Sequence, residues 1–246
     1  MSSERQEINR DTPWWGEHLH RYMEVIKRLE GNEKILDLAC GSGYGSNILA
    51  DSTSALVIGG DISKSTIEDC KKHWTKDNLD FLELNGAELN FPSNTFDLIV
   101  SFETIEHTES YNQMIVEFKR VVKKGGSIFL STPNKKINSP NGVIVNPFHT
   151  QEWYFDEFYS LLENYFQDFE LFGQQYSRYS NRKSLAYALE KFFYLRGVRK
   201  LPLMIKNSVF KLLGFESFYP LSNDFSLVSD KDKVKACKTF FAICKV

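Results

Sequence analysis

The chain has 246 residues, of which 42% are hydrophobic and 25% are charged, and its formal net charge is −2. This balance is typical of a folded globular protein and excludes long disordered, collagen-like and coiled-coil chains. A charge so close to neutral also argues against a dedicated nucleic-acid-binding protein. The four cysteines form no CxxC pair, which predicts free thiols in a reducing compartment.

The amino-terminal segment predicts a cytoplasmic protein. Residues 1–12 are polar and charged and lack the apolar core of a signal peptide. No stretch approaches the roughly 18 uninterrupted apolar residues that a membrane-spanning helix requires.

Apolar residues follow two alternating periods along most of the chain. Helical spacing predicts helices over 15–29, from residue 44, from residue 63, over 110–122 and over 152–164. Short β-rich runs predict strands over 35–39, 56–60, 79–84, 96–101, 127–131, 169–173 and 240–246. Strands that alternate with helices in this way form βαβ units, so the sequence predicts an α/β fold whose parallel sheet is covered on both faces.

A basic segment separates the last two predicted strands. Of the 30 basic and 32 acidic residues in the chain, nine basic residues and one acid lie between Tyr176 and Gly214. Apolar spacing predicts two amphipathic helices there, over 185–195 and 204–213. We expect a small cap that faces an anionic partner, although a solvated basic face over a small core is the simpler alternative.

The first predicted strand leads directly into a glycine-rich loop, Cys40-Gly41-Ser42-Gly43-Tyr44-Gly45, and then into a helix. Glycines at this junction let a ligand approach the backbone closely. The spacing is GxGxG instead of the GxGxxG of dinucleotide-binding folds, which argues against a nicotinamide oxidoreductase. Asp37 precedes the loop, and Asp61 ends the second strand, where an ionised carboxylate can accept hydrogen bonds from a ribose diol.

These strings, with others downstream, resemble the class I S-adenosylmethionine (SAM)-dependent methyltransferases of the type 11 and type 23 kind. The resemblance covers roughly residues 15–175 and the final strand, in family order. The residues at 17–22 are similar to those of bacterial methyltransferases from glycan and secondary-metabolite pathways, which implies a role in polysaccharide biosynthesis. The matching strings lie at 37–45, 61–62, 91–97, 101–107, 118–126 and 131–134.

The resemblance implies a Rossmann-like sheet of seven strands whose last strand runs antiparallel. It places an N-terminal helix over the cofactor in residues 1–30 and the SAM-binding core in residues 31–175 and 236–246. Residues 176–235 are then a basic helical cap that is inserted before the last strand.

The same resemblance implies which residues bind S-adenosylmethionine and its product S-adenosylhomocysteine. Gly41 and Gly43 would pass under the amino-acid part, and Asp61 would hold the ribose. Arg21 or Tyr22 would meet the carboxylate end, although Tyr22 is equally well explained as a core aromatic. The family's usual Asp near position 86 is missing, so Asn85 or Glu88 would replace it. The full set of expected contacts is Tyr22, Asp37, Ala39, Gly41, Gly43, Asp61, Ile62, Asn85, Gly86, Ala87, Phe102 and Glu103.

Methyl transfer to a hydroxyl requires a base, since the acceptor must lose its proton. His107 ends the string Glu103-Thr104-Ile105-Glu106-His107 directly after the fourth strand, where α/β sheets bind their ligands. His149 lies in a later loop that the family's topology brings over the same crevice. We therefore expect Glu106, His107 and His149 to be catalytic, and local helix capping or hydrogen bonding by the two histidines is the alternative.

The predicted function is methyl transfer from SAM to a hydroxyl, or with less support an amine, of a small phosphorylated or glycan-type acceptor. The acceptor is expected to be anionic, and the basic cap to contact it, a lipid-linked substrate or a membrane surface. One alternative is a metal-dependent methyltransferase of 3′-terminal RNA ribose, with Mg²⁺ or Mn²⁺ held by Glu103, Glu106, His107 and His149. A second alternative is an inactive SAM-binding partner subunit.

Overall fold

The computed structural model describes residues 12–179, 185–195 and 200–246. The described chain forms one sheet with helices on both faces. Its strands are β1 Ile35–Leu38, β2 Val57–Asp61, β3 Leu79–Glu83, β4 Phe96–Phe102, β5 Val122–Pro133, β6 Phe169–Tyr176, β7 Phe225–Val228 and β8 Thr239–Lys245. Its helices are α1 Trp15–Ile26, α2 Tyr44–Ala50, α3 Lys64–His73, α4 Tyr111–Val121, α5 Lys135–Asn138, α6 Phe155–Tyr165, α7 Leu185–Phe193, α8 Leu203–Leu212 and α9 Lys231–Ala236.

The sheet has the strand order β3-β2-β1-β4-β5-β8-β6-β7. The first five strands of this order, from β3 through β2, β1 and β4 to β5, are all parallel to one another. Strand β8 pairs antiparallel with both β5 and β6. The Rossmann-like α/β fold and the antiparallel last strand are thus confirmed. The strand order reverses between β1 and β4, and open α/β sheets bind their ligands at the carboxyl ends of strands beside such a switch point.

Strand β1 shows how the sequence divides the core between the two faces of the sheet. Leu36 and Leu38 pack with Phe118 of α4 and Phe158 of α6, whereas Ile35 packs on the opposite face with residues of α1 and α2. Because successive side chains of a strand point to opposite faces, Asp37 also faces α1 and α2. A carboxyl group is therefore buried within an apolar layer.

The segment 176–235 contributes more than the expected helical cap. Helices α7 and α8 do pack around a small core of their own, formed by Phe193, Phe210 and Phe218. Residues 225–228, however, form β7, which pairs antiparallel with β6 and gives the sheet eight strands instead of seven. The run Phe225-Ser-Leu-Val is too short to stand out in the sequence, and it forms a strand because the edge of β6 offers unpaired backbone groups.

Within the described ranges, no helix has both the length and the apolar composition needed to cross a membrane.

Candidate functional site

The glycine loop between β1 and α2 adopts a strained backbone. Ala39, Gly41 and Gly43 have positive φ angles of 61°, 55° and 74°. Glycine tolerates this region, but alanine does so at a cost of roughly 1–2 kcal/mol, and such strain concentrates at functional sites. A Cβ added at Gly43 would lie 2.8 Å from the ring of Phe81, so a larger residue would fit at this position only if Phe81 moved.

Asp61 connects the end of β2 to this loop. Its Oδ2 accepts a hydrogen bond from the backbone N–H of Gly41 at 3.2 Å, and its Oδ1 accepts one from Ser63 N–H at 2.9 Å. The carboxylate is thereby fixed at the carboxyl end of β2, beside the glycine loop. The next residue, Ile62, is 70% exposed although it is apolar.

Asp37 lies under the loop and is buried. Its carboxyl group accepts hydrogen bonds from Tyr22 O–H at 3.2 Å and from Ser46 O–H at 2.7 Å. Removal from water raises the pKa of Asp37 to about 7, and the two hydrogen bonds only partly oppose this shift. Tyr22 is buried as well, with its ring edge against Tyr44 and Phe102, as the core-aromatic interpretation predicts.

Arg21 is a buried cation at the same edge of the sheet. Its side chain is 1% exposed, and Nη1 donates to Oε1 of Gln174 at 3.1 Å and lies 3.6 Å from Oε1 of Glu103. Its Nε makes no hydrogen bond to any described residue. Glu103 itself has a positive φ of 49° and accepts a hydrogen bond from Ser131 O–H at 2.8 Å. A buried guanidinium with an unused donor suits an anionic ligand group.

Glu106 is fully buried behind this edge. Its Oε2 accepts a hydrogen bond from Thr132 O–H at 3.1 Å, whereas Oε1 has no hydrogen-bond partner among the described residues and lies 3.9 Å from Nε2 of His107. Burial, and then the nearby charge of Glu103, holds the pKa of Glu106 well above its usual range.

His107 has a defined tautomer because of its neighbours. Its Nδ1 lies 3.0 Å from the backbone carbonyl oxygen of Phe148, which can only accept a hydrogen bond. The proton of a neutral His107 therefore resides on Nδ1, and Nε2 carries a lone pair. This places an acceptor nitrogen on the side of the ring that faces Glu106.

His149 packs its ring against that of His107, with the ring centres 4.8 Å apart. The amide of Asn146 is oriented by the Phe148 N–H, which donates to its Oδ1 at 3.0 Å. Asn146 Nδ2 then donates to Nε2 of His149 at 2.9 Å, and His149 Nδ1 donates to Glu152 at 2.7 Å. Both ring nitrogens are thus engaged, so the local hydrogen-bonding alternative describes His149 in this structure.

Comparison with known proteins fits this arrangement. Residues 36–130 match the family model described as a methyltransferase domain. A probable S-adenosylmethionine-dependent methyltransferase of Mycolicibacterium smegmatis is 34% identical over 151 residues, which are 61% of this chain and 57% of that protein. A ubiquinone biosynthesis O-methyltransferase of Pelagibacter ubique is 32% identical over 123 residues, which are 50% of this chain and 51% of that protein.

Residues 36–130 are a SAM-dependent methyltransferase domain. A solved structure of a SAM-dependent methyltransferase from Archaeoglobus fulgidus shares the fold, with a TM-score of 0.59, 17% identity and coverage of 94% of each chain. The present chain spans only a little over half the length of the curated relatives that it matches.

The methyltransferase domain has groups that fit each part of SAM. The unused donor of buried Arg21 suits the carboxylate, and a Cβ added at Gly41 would meet no atom within 4 Å, so the loop has space for a ligand beside its backbone there. Asp61 would bind the ribose hydroxyls, and the exposed face of Ile62 would lie against the adenine. When bound, SAM supplies an electrophilic methyl group.

Asn85 begins the turn that follows β3. Its side-chain Oδ1 accepts a hydrogen bond from Ala87 N–H at 3.0 Å, and its carbonyl accepts one from Glu88 N–H at 3.0 Å, so it shapes a turn. Gly86 lies inside this turn, where a Cβ would come within 2.7 Å of Met114. Asn85 and Glu88 are both exposed, and the missing family Asp has no buried replacement in the turn.

The structure brings the three expected catalytic residues together, with ligand atoms of Glu106, His107 and His149 all within 4.8 Å of one another. Glu103 does not join them, because Ser131 and Arg21 hold its carboxylate. Sequence reasoning missed Gln174, whose amide accepts from Arg21 and donates to the carbonyl of Glu17 at 2.7 Å. Gln174 directly follows the predicted strand 169–173, and a lone glutamine there gave no signal for this role.

The buried carboxyl of Asp37 should make stability depend on pH. Its folded pKa of about 7 lies above the value of 3.8 for an unfolded chain, so the unfolded state releases its proton first. Stability is therefore expected to fall as pH rises from about 4 to about 7, by about 4 kcal/mol in total, and to level off above that range. Urea unfolding at pH 4 and pH 8 should show that Asp37→Asn removes this contribution. The exposed Asp69→Asn should leave it intact, and an unchanged pH dependence in Asp37→Asn would contradict the assignment.

Proposed function

We propose that this chain transfers the methyl group of SAM to a hydroxyl of its acceptor, with His107 as the general base. The observation that carries the proposal is the fixed tautomer of His107, whose Nδ1 is held by the carbonyl of Phe148 at 3.0 Å. Its Nε2 lies beyond the carboxyl end of β4, at the edge where this fold binds its ligands. A basic nitrogen at that position can accept the proton that the hydroxyl loses.

Glu106 supports this role of His107. Its unpaired Oε1 lies 3.9 Å from Nε2, so an imidazolium formed by proton uptake would have a buried carboxyl group beside it. A positive charge at that distance favours the ionised form of Glu106, which in turn stabilises the imidazolium. His149 packs against His107 and acts as a positioning residue in this mechanism.

A hydroxyl is favoured over an amine as the acceptor group for two reasons. An alcohol is a weak nucleophile that needs a base, and the site offers one. In addition, several of the matching relatives are named as ubiquinone biosynthesis O-methyltransferases.

We also propose that the acceptor is a small or glycan-type molecule that carries phosphate. The support is the nine basic residues and single acid between Tyr176 and Gly214. Lys191, Lys200 and Lys211 are exposed in the described part of that segment. Of the other six basic residues, Arg182, Lys183, Arg196 and Arg199 lie outside the described residues, and the side chains of Arg178 and Lys206 are buried.

The experiment that tests the proposal follows label from methyl-tritiated SAM into a lysate of the source cell, fractionated into nucleotide-sugar, lipid, RNA and protein pools. Base-stable label in a sugar or lipid pool is expected, and His107→Gln should abolish it. Tight binding of S-adenosylhomocysteine without any labelled product would overturn the proposal and favour the inactive partner subunit.

A metal-dependent methyltransferase of RNA 3′ ends is the second candidate, favoured by the clustered atoms of Glu106, His107 and His149. The residues fit a divalent cation only in part. Both ring nitrogens of His149 are hydrogen bonded, and Glu103 is held by Ser131 and Arg21. We therefore expect methyl transfer to survive exhaustive chelation. Loss of activity with EDTA, restored by Mg²⁺ or Mn²⁺, together with label in the RNA pool, would favour the second candidate.

A further inference from the structure

The two cap helices bury two charged residues and expose several large apolar ones. Their buried side chains include Glu190 of α7, which accepts a hydrogen bond from Tyr176 O–H, and Lys206 of α8, which lies over the ring of Phe218. Their exposed side chains are largely apolar. Leu212 is 89% exposed, Met204 76% and Leu185 66%.

The exposed apolar residues recur with helical spacing, so that they form a continuous surface on each helix. On α7 and the turn after it they follow at intervals of three and four residues. On α8, Met204 and Ile205 follow Leu201 by three and four residues, and Leu212 follows Ile205 by seven, which is two helical turns. We call this surface the cap face. Its members are Leu185, Ala188, Phe192 and Leu195 with Leu201, Met204, Ile205 and Leu212.

The two halves of the cap face belong to one unit, because α7 and α8 share a core. The ring of Phe193 lies 6.4 Å from that of Phe210, and both contact Phe218. Since the inner sides of the helices fill this core, the cap face is directed away from it. A monomeric soluble protein rarely leaves so many large apolar side chains together in water, so the cap face is expected to be covered.

We propose that the cap face docks onto the surface of a membrane that contains anionic lipids. Lys191, Lys200 and Lys211 are exposed on the same helices and their flanks, whereas the acid of α7, Glu190, points inward. An apolar surface flanked by lysines enters the boundary between headgroups and acyl chains, and the lysines reach the phosphates.

Charge decides between a membrane and a second copy of this chain. A two-fold interface through the cap face would join two surfaces that each carry the exposed lysines Lys191, Lys200 and Lys211. Anionic headgroups supply the opposite charge. The position of the cap also suits this docking. The chain leaves β6 at its carboxyl end, Tyr176, and leads from there into the cap. The carboxyl ends of the parallel strands form the sheet edge that carries the candidate active site.

The test is flotation of the full purified chain with vesicles of phosphatidylcholine alone and of equal parts phosphatidylcholine and phosphatidylglycerol. Association with the anionic vesicles is expected, weaker at high salt, and with little association to phosphatidylcholine alone. Met204→Gln with Leu212→Gln should weaken binding at least tenfold. Lys191→Gln with Lys211→Gln should weaken it by about fivefold for each lysine.

The matched control is the double variant Val116→Gln with Lys72→Gln. Val116 is an exposed apolar residue on α4 and Lys72 is an exposed lysine on α3, so this variant should bind the vesicles like the parent chain. Circular dichroism checks that each variant is folded. Absence of flotation by the folded parent chain, or equal flotation of all variants, would overturn the proposal. A dimer without vesicles that Met204→Gln with Leu212→Gln dissociates would overturn it in favour of a second copy. Neither SAM nor acceptor is present, so failure here is distinct from failure of the proposed methyl transfer.

Discussion

Replacing His107 with Gln is expected to lower kcat by about 10²- to 10⁴-fold, the usual contribution of a general base. Gln is similar in length and can still donate a hydrogen bond to the carbonyl of Phe148, but it cannot take up a proton. Because His107 does not belong to the glycine loop or to the Asp61 region, binding of S-adenosylhomocysteine should be unchanged. Initial rates with tritiated SAM and calorimetry with S-adenosylhomocysteine measure the two effects separately.

His149→Gln is the matched control for this substitution. Both ring nitrogens of His149 are engaged by Asn146 and Glu152, so its loss should disturb the position of His107 without removing the base. The pH profile distinguishes the two roles. The parent enzyme and His149→Gln should lose rate as acid protonates the base, whereas His107→Gln should lack this acidic limb. The reverse pattern would assign the base to His149.

The sequence predicted those parts of the molecule that local patterns encode. The periods of two and 3.6 residues located the helices and strands of the core, and the spacing of Gly41 and Gly43 located the loop between β1 and α2 that we expect to bind the cofactor. Because β4 ends at Phe102, the ExxEH string was expected at the carboxyl edge of the sheet, and Glu106 and His107 lie there. In each of these cases the information lies within a few residues of chain.

What the sequence did not predict depends on contacts between distant residues. Arg21 meets Gln174 across 153 positions of the chain, and Thr132 reaches Glu106 from a neighbouring strand. The different roles of His107 and His149 rest on one carbonyl group and one amide orientation, which no motif records. Strand β7 forms only because the edge of β6 is available to it. Three-dimensional placement decides these features.

Asp61→Ala is expected to weaken SAM binding by about a hundredfold or more, since hydrogen bonds to a charged group contribute about 1.5–3 kcal/mol each. The substitution removes the acceptor for the ribose hydroxyls, and it also releases the backbone N–H groups of Gly41 and Ser63 that position the loop and the start of α3. Calorimetric titration with S-adenosylhomocysteine measures the loss. Asp69→Ala, on the exposed face of α3, is the control and should bind like the parent chain. Asp61→Asn keeps one acceptor oxygen and should lie between the two. If Asp61→Ala is folded and binds the product normally, Asp61 does not hold the ribose, and the cofactor would then have to be bound by Gly41 and Gly43 of the loop together with Arg21 of α1.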